Sequence, residues 1–379
     1  MVQAEILSPA ALNAEDRAIW RSLATGPFAS PLLQPEFADL VARVRDDVRV
    51  AVFRKGQNTP GFLAFHLRPG RMARSLAAPF GDVQALVCAP DFLATGEEAL
   101  KAAGIRAFQF DNLLDPFGLF STNVGETSEA YTIAPGADAA AFLESQRALH
   151  PKRFKNHRRL GHQLERECGP VSVVPEDTDD AALDSLLGWK RAQYTASGRH
   201  DVLAAQWVQD FMHQTHARQN GPVRGLLFSL RAKGEIIAGL FGVRSNTVFN
   251  PWIAAYDPAY WAWSPGQQVL HELVAAMPQM GLERCDIGAD HDHYKKYYSA
   301  DTVPVHSALI AAPGRDARIT QVRSILWEAA DRTPVGNITA RIRRRLNQIS
   351  AVELDTAHRI SGLVRAVTHR AEPITGPSS

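Results

Sequence analysis

Apolar and polar positions alternate with a period of two along several stretches of the chain, and with a period near 3.6 along others. Val48–Arg54 (VRVAVFR) and Gly61–Arg68 (GFLAFHLR) carry β-branched and aromatic residues on either side of the turn-forming GQNTP, so both read as strands. Ile105–Leu113 (IRAFQFDNL) reads as another, and helices are expected at Ala14–Ala24, Pro35–Arg45 and Phe92–Ala103. Leu76–Cys88 is apolar but interrupted by APFGD. Residues 1–145 thus alternate strands and helices as an α/β unit.

A second block runs over 146–312. Leu149–Glu167 is a strongly basic helix, and Val171–Pro175 is a strand. Ala181–Ser197 and Ala204–Gln219 place Leu183, Leu186, Leu187 and Trp189, then Trp207 and Phe211, on helical faces. Three strands follow at Val223–Arg231, Glu235–Arg244 and Asn246–Tyr256. After them come a helix over Gln267–Pro278, a strand over Arg284–Ile287, a short helix over His293–Tyr298 and a strand over Val303–Ala311. Residues 313–379 form a third block, helical in pattern with a Pro/Gly/Ser tail, in which every basic residue is an arginine.

Charge changes this picture more than composition does. The 379 residues are 45% hydrophobic and 21% charged, as in ordinary globular domains. The formal net charge of +1 argues against a general nucleic-acid binder. That total hides an asymmetry, with about −4 on the first two blocks and about +5 on the third. Cys88, Cys168 and Cys285 are scattered and suit reduced thiols, not a disulfide framework or a zinc site. No stretch approaches the ~18 apolar residues of a membrane span, and the first residues do not resemble a signal peptide. A cytoplasmic protein, peripheral at most to the inner membrane face, is expected.

The chemistry concentrates between Glu235 and Tyr298. A strand runs through a Ser-Pro-Gly turn into a helix, and a helix N-terminus offers unpaired N–H groups to a phosphate. Ser264, Pro265, Gly266, Gln267 and Gln268 are therefore the candidate pyrophosphate cradle, with Gly266 allowing close approach. Asp290-His291-Asp292-His293 has ligand-type side chains, but local spacing without HExxH geometry, so no metal is expected. Trp252, Trp261, Trp263, Tyr256 and Tyr260 suit either sugar stacking or core packing.

The order of elements in the second block is that of the GNAT acyltransferases. The stretch EIIAGLFGVRSNTVFNPWIAAYDPAYWAWSPGQQVLHELVAAMPQMGLERCDIGADHDHYKKYYS resembles the CelD/BcsL-type, FemAB-like GNAT acetyltransferases of bacterial polysaccharide biosynthesis. The shared features are Trp261 and Trp263 before Pro265-Gly266, then Asp286-Ile287-Gly288, then Tyr294-Lys295 and Tyr298. FASPLLQPEF, VAVFRKG, GFLAFHLR and APFGDVQALV resemble that family's first, degenerate half, so the likeness spans about 26–312 and extends to the holdfast-polysaccharide N-acyltransferases.

This resemblance implies two tandem GNAT-like domains, degenerate over 1–145 and catalytic over 146–312, with an Arg-rich helical extension over 313–379. It implies acyl transfer from acetyl-CoA or another acyl-CoA to an amino group of a sugar or lipid-linked glycan. Asp286 would be the general base or amine anchor, with His291 an alternative base. Tyr294 would protonate the leaving thiolate or position the substrate, and Lys295 would bind a CoA phosphate or a sugar carboxylate. Lys190 and Tyr194, with Trp252 and Tyr256, would border the acceptor. Two other readings stand beside this one. One is an aminoacyl-tRNA-dependent, FemAB-like peptidoglycan aminoacyltransferase. The other is an effector using the fold as scaffold, with Arg341, Arg344 and Arg345 on an amphipathic helix gripping cyclic di-GMP or an anionic membrane.

Overall fold

In a computed structural model, Val48–Arg54 and Gly61–Arg68 pair antiparallel, Phe53 opposite Gly61 and Val48 opposite His66. The structure describes residues 1–92, 94–120, 125–289, 295–299, 301–312 and 352. The described elements, in chain order, begin with β1 (Gln3–Leu7), α1 (Ala14–Leu23), α2 (Pro35–Ala42), β2 (Val48–Arg54), β3 (Gly61–Arg68), β4 (Met72–Ser75), α3 (Gly96–Ala102) and β5 (Ala107–Leu113). They continue with β6 (Glu126–Ile133), α4 (Ala139–Leu149), α5 (Pro151–Cys168), β7 (Val171–Val174), α6 (Asp180–Ala196) and α7 (Gln206–Ala217). Last come β8 (Arg224–Ala232), β9 (Glu235–Arg244), β10 (Val248–Tyr256), α8 (Pro265–Ala276), β11 (Arg284–Gly288) and β12 (Asp301–Ala311).

Local chemistry sets several of these boundaries. Asn13 caps α1 by accepting from the Asp16 amide at 2.8 Å. Thr95 and Glu98 form a capping box on α3. Pro151 opens α5, where its missing N–H costs nothing, and Gly169 closes it with φ 88°.

The chain folds into two compact units. In the first, the strand order is β1-β2-β3-β4-β5-β12, all antiparallel except the parallel β4–β5 pair. In the second, read from its edge, it is β7-β8-β9-β10-β11-β6, all antiparallel except the parallel β10–β11 pair. The two orders are the same pattern used twice. The units are not the consecutive segments 1–145 and 146–312, because the sixth strands are exchanged. Ile133 and Thr132 of β6 pair with Cys285 and Asp286, while Ala107–Leu113 pairs with β12 from near residue 310. Residues Tyr194–Gln209 also belong to the first unit.

Each unit has its own core. Phe53, Phe65, Phe108, Phe110 and Ile310 lie at the centre of the first. In the second, Phe228, Leu240, Phe249 and Cys285 from the sheet meet Phe154 and Leu164 of α5 and Leu273 of α8. Residues 313–351 and 353–379, where the helical extension was expected, lie outside the described residues. Val352 is buried, and its carbonyl accepts from Trp207 Nε1 at 2.9 Å. No helix among the described residues is long and apolar enough to cross a membrane.

Candidate active site

The second unit's sheet opens between β10 and β11. Their parallel ladder consists of Val248 opposite Arg284 and Phe249 opposite Cys285, and then it stops. Just past that point β10 bulges between Pro251 and Ile253. Pro251 has no N–H to give a ladder, which suits an irregular strand. Gly242 on β9 permits the bulge, because a Cβ there would lie 2.1 Å from the Asn250 carbonyl oxygen. The result is a gap in the ladder, where β10 past Phe249 has no ladder partner on β11.

Asn250 sits at the start of this gap and is fully buried. Its Nδ2 donates to the Asp286 main-chain oxygen at 3.3 Å, bridging the strands where the backbone ladder has ended. Its Oδ1 has no hydrogen-bond partner among the described residues. The Asp286 side chain is also buried, with Arg284 Nε 2.7 Å from its Oδ1 and Arg284 Nη2 donating to Oδ2 at 3.2 Å. Burial raises the Asp286 pKa above the usual carboxylate range, and the Arg284 guanidinium only partly offsets this. Such a carboxylate is a stronger proton acceptor than a solvated one.

The turn into α8 is more closed than the sequence suggests. Ser264 is left-handed (φ 52°, ψ 53°), and its carbonyl accepts from the amides of Gln267 at 2.9 Å and Gln268 at 3.2 Å. Pro265 has no amide proton, so Gly266 carries the amide of this turn still open to a ligand. A Cβ on Gly266 would make only ordinary contact with Tyr256, at 3.5 Å. The Gln268 side chain turns away from the gap, and its Nε2 donates to the His157 carbonyl at 3.1 Å.

The other expected residues divide. Lys190 reaches β10, its Nζ donating to the Ala254 carbonyl at 3.2 Å. Trp252 packs in the sheet face, stacked on Phe211 at 5.1 Å and edge-on to Phe241 at 6.3 Å. Tyr256 is exposed beside Gly266. Lys295 is buried with Nζ on the Gly288 carbonyl at 3.4 Å, because the chain folds back over the end of β11. Tyr194 belongs to the first unit, where burial pushes its pKa up to about 12 against the pull of Arg199. His291, Tyr294, Arg341, Arg344 and Arg345 lie outside the described residues. Sequence reasoning missed Asn250 and Arg284. Arg284 was recoverable, because residues two apart on a strand share a face. Among the described residues no group of His, Cys, Asp and Glu side chains could hold a metal. Cys88 and Cys285 are buried free thiols, and Cys168 is a partly exposed one.

Residues 151–296 match the acetyltransferase (GNAT) domain family. Among solved structures, FemX is similar with a TM-score of 0.51 at 10% identity, over 80% of this chain and 96% of its own. The C-terminal domain of a putative lysylphosphatidylglycerol synthetase from Agrobacterium fabrum is similar with a TM-score of 0.50 at 14% identity, over 83% of this chain and 97% of its own. Among curated proteins, none matches this chain in sequence. The fold is the mixed α/β GNAT fold, and residues 151–296 form a GNAT-type acyltransferase domain.

Proposed function

We propose that this GNAT-type enzyme moves an acyl group from acyl-CoA to the amino group of a sugar bound for a cell-envelope polysaccharide. The observation that carries the reading is the gap where the β10–β11 ladder ends, with the buried Asp286 beside it on β11 and an open amide at the start of α8. A thioester laid along the gap meets unladdered peptide N–H groups of β10, donors for the oxyanion that develops on its carbonyl. The Gly266 amide and the positive end of α8 face the CoA pyrophosphate. The amine attacks the thioester carbon, its proton passes to Asp286, and the C–S bond breaks as the C–N bond stands. Tyr294 is proposed to return a proton to the thiolate. Exposed Tyr256 and Trp261 offer aromatic faces to a sugar ring.

Purified protein given acetyl-CoA and a panel of amino sugars is expected to release free CoA thiol only when the matching sugar is present. Asp286→Asn should lower turnover by roughly 10²–10⁴-fold, the usual size of a general-base contribution, while CoA affinity by calorimetry changes little. Equal losses in both would assign Asp286 a structural role. Absence of CoA binding by the folded protein would sink the reading. Activity that requires charged tRNA and disappears on RNase treatment would instead make the chain an aminoacyltransferase.

A further inference from the structure

α4 is a largely exposed helix, with Ala139 its one buried residue and Phe142 and Leu143 packed against the second unit's core. Between it and α5, β7 and α8 lies a cavity of about 660 Å³ within the second unit. That volume falls in the range of small-molecule sites, roughly 300–1,000 Å³. Neither Asn250, Trp252 nor Asp286 lines it, so it is distinct from the β10–β11 gap, and of the Ser264–Gln268 turn only the Gln268 side chain, held on the His157 carbonyl, reaches its lining. Leu143, Phe154, Leu164 and Val173 give it an apolar stretch, and polar side chains line the remainder.

The α8 side of the cavity is different. His157 and His271 meet there with ring centroids 4.5 Å apart, and Glu272 stands beside them. His157 Nε2 is buried without a hydrogen-bond partner among the described residues. Glu272 is partly buried, and no cation or donor reaches it among the described residues. Burial, reinforced by the neighbouring His271, pushes the His157 pKa down to about 4, and burial lowers that of His271 as well. Both rings are therefore neutral near pH 7. Arg147, ion-paired with Glu144, also lines the cavity, as do Arg158 and Glu165. The inner end thus presents a carboxylate and an unpartnered imidazole nitrogen, and the Arg153 guanidinium, stacked over the Tyr297 ring, is the cation nearest His157. A partly buried carboxylate without a partner is stabilised by a cation that reaches it.

We propose that this cavity binds an amphiphilic primary amine. Its ammonium group sits between the Glu272 carboxylate and His157 Nε2, and its alkyl chain lies between Leu143, Phe154, Leu164 and Val173. The site stands independently of the acyl-transfer reading, and its test needs no turnover.

Calorimetric titration of the full chain with hexylamine at pH 7.5 is the test, with 1-hexanol and hexanoate as probes of the same length. Hexylamine should bind saturably with one site per chain, at least about tenfold tighter than 1-hexanol, and hexanoate more weakly than either. From butylamine to octylamine the affinity should rise by roughly fourfold per methylene until the walls are filled. Glu272→Gln should weaken hexylamine by about 10–100-fold and leave 1-hexanol unchanged. Leu143→Trp, which fills the cavity from α4, should abolish binding of all three, and it serves as the deciding variant if Glu272→Gln melts early. Absence of saturable binding, equal affinities for the amine and the alcohol, or undiminished binding by Leu143→Trp would each overturn the proposal.

Discussion

His66, in the first unit, shows how one buried side chain ties stability to pH. Its Nδ1 lies 2.8 Å from Asp47 Oδ1, and its Nε2 accepts from the Ala77 amide at 3.0 Å. Both roles require the neutral ring with its proton on Nδ1. Burial pushes the His66 pKa down from 6.5 to about 4, overriding the pull of Asp47, and Arg45 adds to the lowering. Burial alone would raise Asp47, but hydrogen bonds from His66 and Arg45 hold it well below the carboxylate range. A histidine depressed in the folded state binds fewer protons than in the unfolded chain, so its contribution is complete above pH 6.5 and is lost as pH falls toward 4. Asp47 acts in the same direction at still lower pH. Between pH 7 and 4.5 the His66 contribution should shrink by about 2–3 kcal/mol. Urea unfolding of the parent and of His66→Gln at both pH values isolates it, and an equal pH loss in the two proteins would rule it out. The same scale shows what could be read in the candidate site. Asp286 was singled out through the resemblance of Asp286-Ile287-Gly288 to the family's motif, and the structure buries its carboxylate beside Arg284. The burial of Lys295 was not legible, since it depends on where the chain crosses the Gly288 carbonyl after leaving β11.

At the scale of elements, legibility followed length and amphipathic contrast. Val48–Arg54, Gly61–Arg68 and Glu235–Arg244 were read to the residue, because long alternating or apolar runs bounded by turn residues leave little choice. The strands Gln3–Leu7, Met72–Ser75 and Glu126–Ile133 were missed. Met72–Ser75 spans four residues, and ETSEAYTI is mostly polar, with burial confined to its last residues. α4 was also missed, and its largely exposed surface explains why no apolar stripe marked it. The β10 bulge was not readable at all, because the close approach that Gly242 permits comes from the neighbouring strand. Gly242→Ala must displace backbone, with Asn250 O at 2.1 Å and Pro251 Cα at 2.7 Å from the new methyl. It should cost about 1–3 kcal/mol, read as a lower unfolding midpoint. Gly188→Ala is the control, since nothing lies within 4 Å of its Cβ position in α6, and it should be neutral or stabilising by roughly 0.5–1 kcal/mol. If Gly242→Ala melted at the parent's temperature, the bulge would not be held by that approach.

Across the whole molecule, the exchanged sixth strands separate sequence neighbourhood from structural neighbourhood. The tandem plan was expected from the family resemblance, but the exchange was not legible. β6 follows β5 in sequence and β12 follows β11, and nothing in either strand's pattern says that it pairs across the repeat. The consequence for stability is specific. β5 is held on one side by β4, through pairs at Met72, Ala73 and Arg74, and on the other by β12, from His306 to Ala311. Ile310 of β12 is buried in the first unit's core with Phe108 and Phe110, although its chain neighbours upstream belong to the second. Ile310→Ala should therefore cost about 2–5 kcal/mol, and the loss should fall on the first unit. Hydrogen exchange followed by mass spectrometry localises it, with faster exchange in Ala107–Leu113 and Val48–Arg54 and protection retained in Glu235–Arg244. Because stability differences translate into exchange rates where reclosing outpaces chemical exchange, the change in β5 should reach at least about tenfold. Equal acceleration in β9, or none in β5, would mean that β12 does not serve the first unit as its sixth strand.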